Sequence, residues 1–333
     1  MVKRAFLAIF VLIAVGVAGG GLWLHHNLWG TRSGRHVTLE IAEGSTARDI
    51  LQQLHEQRLV PSVFAGRVYL RAVRSGAVLH YGHYRFPYGS RPVDVLDAIV
   101  EGAVEMFSVT VIEGSNGVEI GELFAGLGVG TTERWRGFET QIEWIHDLAP
   151  DAPSLEGFLF PDTYRFAVGI KSERVARHLV QRFHEVWSEE AHGVGALWGS
   201  SLEVVTLASM VEAETSLDDE RRLIAGVFAN RLRRGMLMQC DPTVVYSLKR
   251  RGEWRGRLLR IHWEVDDPYN TYRYPGLPPG PINSPGRAAL SAAMDPEKTP
   301  YLYFVAKPGG GHSFSKTLSE HNRAVGRLMS SRR

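Results

Sequence analysis

The chain has 333 residues, 44% of them hydrophobic, and its 38 basic and 36 acidic residues give a formal net charge of +2. The composition is that of a globular protein with room for two domains, or one domain and an appendage, and the balanced charge argues against nucleic acid as the main partner. The single cysteine, Cys240, excludes an intramolecular disulfide and a cysteine-based zinc site, and no metal-ligand spacing or phosphate-binding loop points to a metal or a cofactor.

The first element is an apolar segment near the N-terminus. Residues 5–24 ("AFLAIFVLIAVGVAGGGLWL") contain no charge, and twenty residues are what a helix needs to cross a bilayer. Lys3 and Arg4 precede the segment, so we expect residues 1–4 to be cytoplasmic and the remainder to be exported. A cleaved signal peptide is the alternative, because small residues at 17–19 resemble a cleavage site. The apolar run continues to Trp23, which favours a retained transmembrane anchor.

Residues 25–35 are polar and predict a short tether, after which one pattern occurs three times. Residues 37–54 and 107–124 alternate as a strand does, turn at Glu-Gly-Ser and continue with helical spacing, and residues 82–100 form a looser copy. Glycine permits the turn and serine is placed to cap the helix, so each copy predicts a strand–turn–helix unit. The middle copy resembles a LysM-like module, a type associated with glycan binding. The alternative is that the repeats are packing units only.

We therefore expect an α+β protein with a small module at residues 36–105, including the LysM-like unit, and a mixed α+β domain at residues 106–333. In that domain Ser216 and Asp219 are placed to form a capping box, as are Thr317 and Glu320, and Asp241 is placed as a helix cap. The predicted elements, in order, are a helix over 171–190, a helix over 202–215, a helix over 217–234, a helix from 241, an irregular Pro- and Gly-rich loop over 266–286, two strands around a glycine turn, and a C-terminal helix.

The segment "TLASMVEAETS", residues 206–216, carries two glutamates among apolar residues. On a helix, Glu214 shares a stripe with Leu207, Met210 and Val211, whereas Glu212 projects about 200° away and is expected at the surface or paired with a neighbour. A carboxyl group on an apolar face has a raised pKa and can donate a proton near neutral pH.

The alternative for Glu214 is a structural one. A glutamate buried in this segment could instead be tied to Arg221 or Arg231 on the following helix. Periodicity alone does not decide between a proton donor and a structural ion pair.

Several long segments together resemble the endolytic lytic transglycosylase family, also called MltG or YceG-like. The similarity covers the membrane anchor and nearly everything from Val37 to the C-terminal helix. The segments that carry it are "EGFLFPDTY" (156–164), "LASMVEAET" (207–215), "RRLIAGVFANRLRRGMLMQCDPTVVY" (221–246), "YNTYRYPGLPPGPINSPG" (269–286) and "YLYFVAKPGGGHSFSKTLSEHN" (301–322).

The resemblance implies cleavage of peptidoglycan strands at internal bonds between N-acetylmuramic acid and N-acetylglucosamine, with Glu214 as the catalytic acid. It also implies 1,6-anhydro ends, because the muramic acid's own C6 hydroxyl attacks in place of water. A hydrolytic muramidase is the alternative chemistry and would need a partner carboxylate. Glu212, Asp218 and Asp241 are the nearby candidates, although Asp241 is better explained as a cap.

Other residues of these segments suit a glycan groove. Gln239, Asn270 and Asn283 could bond sugar hydroxyls and acetamides, Tyr269, Tyr272 and Tyr303 could pack against pyranose faces, and His312 could assist binding. Packing or loop stabilisation is the alternative for each of them. Glu156 and Asp162 match the family motif without an evident role, and we expect Asp162 to stabilise its own turn.

The predicted protein is thus a single-pass enzyme of the inner membrane with a cytoplasmic N-terminus and a periplasmic catalytic domain. Its predicted partners are peptidoglycan strands and, by family biology, penicillin-binding proteins or other synthesis machinery. A protein of another class, a non-catalytic glycan-binding scaffold, is the alternative.

Overall fold

The computed structural model describes residues 2–30, 33–191 and 198–331. The chain divides into two compact units, one of residues 1–108 with 165–170, the other of residues 109–164 with 171–333. The predicted module of residues 36–105 lies within the first unit. Helices and strands mix in both, as the α+β prediction requires. Two residues of the predicted tether, 31 and 32, lie outside the described part of the chain.

The first unit begins with the apolar helix α1 (Val2–His25), which continues as a π-helical turn over His26–Gly30. Residues Phe6–Gly30 have a mean hydropathy of 2.4, so this segment is long and apolar enough to cross a membrane, as a signal sequence can also be. Strands β1 (Val37–Ile41) and β2 (Gly82–Phe86) pair antiparallel. Their inward side chains form a core with α2 (Ala47–Glu56), α3 (Val63–Ala72) and α4 (Pro92–Glu101).

The three strand–turn–helix copies are present, but their caps differ from the prediction. Each turn glycine, at positions 44, 89 and 114, has a positive φ. The N-cap is the residue after the serine in the first and last copies, Thr46 and Asn116, whose side chains accept from the backbone three residues on. Ser45 instead donates to the Ala42 carbonyl and closes the turn. A serine therefore marks the turn here, and its neighbour starts the helix.

The remaining elements belong mainly to the second unit. Strands β3 and β4 pair with each other, as do β5 and β6. The chain changes unit within β3, within β4 and again after residue 170. The bounds are β3 Met106–Thr110, α5 Gly117–Gly126, α6 Thr132–Phe138, β4 Thr163–Ala167, α7 Ser172–Glu190, α8 Ser201–Glu214, α9 Asp218–Arg233, α10 Asp241–Arg250, α11 Arg287–Met294, β5 Tyr303–Ala306, β6 His312–Ser315 and α12 Leu318–Ser331.

The predicted capping boxes had different outcomes. Thr317 and Glu320 exchange their bonds as expected. No side chain caps α9, whose N-cap is Leu217, so the predicted box of Ser216 and Asp219 is wrong. The loop over 266–286 is irregular as predicted, and helices α3, α6 and α11 were not predicted.

Helix α8 is buried on every face over its middle and partly exposed at its ends. It packs against α9, α10 and α11, and every side chain from Val204 to Val211 is buried. An apolar stripe therefore does not exist on it, and helical phase cannot separate the two glutamates as the sequence argument assumed. At α9 the backbone comes so close to a neighbour that a Cβ on Gly226 would strike the carbonyl oxygen of Glu297.

Candidate active site

Glu214 is the last residue of α8, and its carboxyl group is buried. The thiol of Cys240 donates to its Oε1 at 3.1 Å. Burial raises the pKa of Glu214, and although the Cys240 bond opposes this effect, the negative charge of Asp241 adds to it. His312 and Arg231 act weakly in the opposite direction. Glu214 is therefore a carboxyl group that retains its proton at higher pH than an ordinary glutamate.

Two backbone contacts fix Cys240 beside this carboxyl group. Gln239 has a φ of 50°, rare for a residue with a side chain, and its N–H donates to the Thr271 carbonyl at 3.1 Å. The N–H of Cys240 donates to Thr271 Oγ1 at 3.0 Å. Burial, with the neighbouring Glu214, raises the pKa of the thiol well above its usual range, so Cys240 is a hydrogen-bond donor and not a nucleophile.

Glu212 is paired and buried rather than at the surface, with 7% of its side chain exposed. Its Oε1 accepts from Arg221 Nη2 at 3.4 Å and its Oε2 from the Gly286 N–H at 3.0 Å. Asp218 also contacts the Arg221 guanidinium. Arg221 thus pairs with Glu212 and Asp218, and the described residues show no ion pair to Glu214, which removes the structural alternative weighed for Glu214.

Asp241 does not cap its helix, which corrects the sequence prediction. The N-cap of α10 is Cys240, without a side-chain bond. Asp241 Oδ1 instead accepts from the Tyr272 hydroxyl at 2.6 Å and from Trp263 Nε1 at 3.1 Å. The two rings are stacked with centroids 5.4 Å apart. Sequence reasoning selected Tyr272 but missed Trp263, whose only signal in the sequence was a tryptophan a few residues before the Tyr-rich segment.

Asn270 stabilises the loop that carries Tyr272. It is fully buried, and its Nδ2 donates to the carbonyls of Trp263 and Val265 at 3.0 and 2.7 Å. Its Oδ1 accepts from the Tyr272 N–H at 3.1 Å. No amide proton remains for a sugar, so the structure gives Asn270 a structural role in place of the predicted substrate contact.

Asn283 and Gln239 differ from Asn270. Asn283 is also buried, and its Nδ2 donates to the Ser209 carbonyl at 2.9 Å. Its Oδ1 accepts no hydrogen bond within the described residues. Gln239 is exposed, with a 3.5 Å contact from Arg231 Nη1 to its Oε1. Both residues remain candidates for substrate contact.

The other predicted contacts have partners inside the protein. His312 Nδ1 lies 2.6 Å from Glu220 Oε2, and burial of Glu220 is outweighed by its bonds to His312, which lower the pKa of Glu220. Tyr303 lies under the Arg231 guanidinium, 5.2 Å from its ring centroid. Tyr269 is buried with its ring 5.0 Å from that of Tyr246.

A cavity of about 420 Å³ opens beside the end of α8. Glu214 itself does not line it, but its chain neighbour Ala213 does, as does Asp241. It is the larger of two cavities that share Asn116, Tyr246 and Lys249, and we call it the larger cavity. Its lining is Gly114, Asn116, Ala213, Asp241, Pro242, Val245, Tyr246, Lys249, Leu258, Ile282 and Asn283.

A smaller cavity of about 290 Å³ shares Asn116, Tyr246 and Lys249 with the larger one. Glu156 lines it and accepts from the Gly117 N–H at 3.1 and 3.2 Å and from the Tyr246 hydroxyl at 3.2 Å. Burial, against these bonds, raises the pKa of Glu156 to about 7. Sequence reasoning quoted this residue without finding a role for it.

Asp162, the other motif residue, lies just before β4 and bonds the start of that strand and helix α7. Its Oδ1 accepts from the Thr163 N–H at 2.7 Å, and Arg182 Nε donates to its Oδ2 at 2.9 Å. Among the described residues, no group of three or more His, Cys, Asp or Glu side chains could hold a metal ion.

Comparison with known proteins finds curated relatives that carry the same name. An endolytic murein transglycosylase of Bacillus subtilis strain 168 is 30% identical over 89% of this chain and 86% of its own length. One of Streptococcus pneumoniae serotype 2 is 25% identical over 99% of this chain, which spans 66% of that protein. The crystal structure of a yceG-like protein from Listeria monocytogenes matches with a TM-score of 0.59 and 29% identity, covering 87% of this chain and 99% of that one. The model of the YceG-like family matches residues 39–327, and the chain belongs to this family.

Proposed function

We propose that the protein is a peptidoglycan lytic transglycosylase in which Glu214 acts first as general acid and then as general base. The observation that carries the proposal is a buried carboxyl group with a raised pKa, next in the chain to Ala213, which lines a cavity. The names of the relatives, endolytic murein transglycosylase, supply the substrate class.

One carboxyl group suffices for this reaction. The proton of Glu214 passes to the glycosidic oxygen as the bond from that oxygen to C1 of N-acetylmuramic acid breaks. The C6 hydroxyl of the same sugar then attacks C1 and returns its proton to Glu214. The product is a 1,6-anhydro ring, and the enzyme is regenerated without water. Attack from within one sugar has the advantage of a high effective concentration.

Hydrolysis is the runner-up reaction, and it needs a second carboxylate to activate water. Glu212 and Asp218 are both engaged by Arg221. Asp241 is the remaining candidate, because it lines the larger cavity and is not needed as a helix cap. Its bonds to Tyr272 and Trp263 favour a role in holding those rings.

The setting of the enzyme is part of the proposal. We propose that α1 anchors the protein in the inner membrane with a cytoplasmic N-terminus, so that the second unit acts on nascent strands in the periplasm. The apolar helix and the basic residues before it support this orientation. The LysM-like unit would contribute glycan binding, and penicillin-binding proteins are candidate partners by family biology.

Glu214→Gln tests the mechanism, because it keeps the shape of the side chain and removes its acidity. Purified full-length protein in detergent is incubated with glycan strands, and the products are separated by mass spectrometry. We expect wild type to release anhydro-ended fragments, lighter by one water than hydrolysis products, and the variant to release none. Glu185→Gln, an exposed change on α7, is the matched control and should cleave normally.

Each alternative gives its own result in this assay. Undiminished cleavage by Glu214→Gln removes that residue from the mechanism. Fragments with ordinary reducing ends from wild type identify a hydrolase. Binding of strands without any cleavage by wild type identifies a scaffold.

A further inference from the structure

A separate cavity of about 450 Å³ lies on one face of α7, and we call it the α7 cavity. Its polar lining comes from that helix, at spacings of three and four residues that place the side chains on one face: Arg174, Arg177, His178, Gln181 and His184. Trp144 and Val180 complete the lining, and among the described residues no acidic side chain belongs to it. The α7 cavity is therefore a basic site, and it shares no lining residue with the larger or the smaller cavity.

Trp144 forms a flat wall of the α7 cavity and holds Arg177 in place. His184 Nε2 donates to the Trp144 carbonyl at 3.1 Å, which fixes the turn over Ile142–Trp144 against α7. The Arg177 guanidinium lies over the indole ring, 4.2 Å from its centroid. A guanidinium stacked on an aromatic ring keeps the N–H groups at its edge, so Arg177 is preorganised for a ligand.

Arg177 retains hydrogen-bond donors after its contacts inside the protein. Its Nε donates to Glu173 Oε1 at 3.1 Å, whereas Nη1 and Nη2 have no hydrogen-bond partner within the described residues. The side chain is 54% exposed, so these donors are accessible. Two guanidinium nitrogens in one plane match the two oxygens of a carboxylate, which they can bind as a fork.

We propose that the α7 cavity binds a carboxylate of the peptide stems that murein strands carry. The sugars of such a strand are uncharged, so the stems are the parts that a basic cavity selects. The edge of Arg177 would take the carboxylate, and the ring of Trp144 offers apolar surface to the aliphatic part of a stem. The volume is within the range of small-ligand sites. The assignment to stems rests on the proposed function, which supplies the murein substrate.

Two small peptides of matched size isolate the charge. N-acetyl-L-alanyl-D-glutamate represents the start of a stem without its sugar and has two carboxylates, and in its diamide both are neutral carboxamides. Each peptide is titrated by calorimetry into the full chain in detergent. We expect the diacid to bind at least about tenfold more tightly than the diamide, the effect of one charge-assisted pair. The preference should shrink between about 0.05 and about 0.5 M salt, because salt screens exposed charges.

Variants of Arg177 locate the preference in the α7 cavity. Arg177→Gln removes the guanidinium and should abolish the preference. Arg177→Lys keeps the charge without the fork and should retain a smaller preference. Both changes lie at an exposed helix position and leave the core intact. Arg222→Gln removes a guanidinium of similar exposure, paired with Asp295 on another face of the unit's surface, and is the control that should bind as wild type does.

Equal affinity of wild type for the diacid and the diamide overturns the proposal, as does a preference that Arg177→Gln leaves undiminished. Inorganic phosphate is titrated separately, and binding as tight as that of the diacid identifies a general anion site and overturns the assignment to stems. Failure here is distinct from failure of the proposed function, because the anhydro product is measured on glycan strands with wild type. A diacid preference that depends on Arg177 supports the carboxylate site even if that product is not found.

Discussion

Glu156 should make the stability of the second unit depend on pH. Burial raises its pKa from an ordinary 4.5 to about 7. The folded protein therefore holds a proton that the unfolded chain has already released between these two values. The contribution of Glu156 to the unfolding free energy is fully present below about pH 4.5 and is lost as the pH rises through 7. The increase in the pKa of Glu156 on folding corresponds to about 3 kcal/mol of unfolding free energy, at about 1.4 kcal/mol for each pKa unit.

Glu156→Gln replaces the protonated acid by a neutral group of the same shape. Relative to wild type, the variant should gain about 3 kcal/mol of unfolding free energy between about pH 4.5 and 8. The measurement is urea unfolding of both full-length proteins in detergent across this range, followed by tryptophan fluorescence. Glu122→Gln removes an exposed carboxylate that lines the smaller cavity together with Glu156, and it serves as the control. Parallel curves for wild type and Glu156→Gln would refute the reasoning.

Two further changes probe the neighbour of Glu214 and the packing of α9. Cys240→Ala removes the S–H donor to Glu214, a bond of about 1 kcal/mol, so the alkaline limb of the pH–rate profile should move to higher pH. Cys240→Ser restores a donor and should move the limb back; identical profiles for both variants contradict a role for the bond. Gly226→Ala forces a Cβ against the Glu297 carbonyl and should lower the unfolding free energy by about 1–3 kcal/mol in urea titrations, whereas Gly137→Ala, whose Cβ meets open space, should change little.

The strand–turn–helix copies were predictable because their signals are local. Alternation, a glycine and a short polar residue follow each other within a few positions, and the backbone needs a positive φ at Gly44 and Gly114. The cap was misplaced by one residue, since both Ser45 and Thr46 can accept or donate near a helix start. Their roles are divided by backbone angles, with Thr46 extended at φ −77° and ψ 157°.

Helix α8 shows where periodicity carries no information. A 3.6-residue stripe indicates a buried face only when another face is exposed, and α8 is surrounded by α9, α10 and α11. Neither Glu212 nor Glu214 is consequently exposed, and the phase argument reached Glu214 for a reason that the fold does not support. The resemblance to the family selected that residue independently.

The contacts around the site depend on residues far apart in sequence. Asp241 could not be paired with Tyr272 and Trp263 in advance, because these side chains are 31 and 22 residues away and meet only in the folded chain. Residue type was also an incomplete guide, since Asn270 and Asn283 are the same residue type and both buried. Only the structure shows that both amide protons of Asn270 are bound, whereas Oδ1 of Asn283 accepts no hydrogen bond within the described residues.

The partners of the acidic groups around the end of α8 explain how one of them could remain a proton donor. Glu212 faces a guanidinium, and Glu220 faces His312, which stabilises its ionised form. Glu214 faces a thiol, the weakest donor of these, in a buried position. A weak donor can orient Oε1 without offsetting the free-energy cost of desolvating a carboxylate. The neutral form of Glu214 is therefore preferred. With Cys240 as its neighbour, the carboxyl group of Glu214 is therefore held in place and keeps its proton to higher pH than an ordinary glutamate.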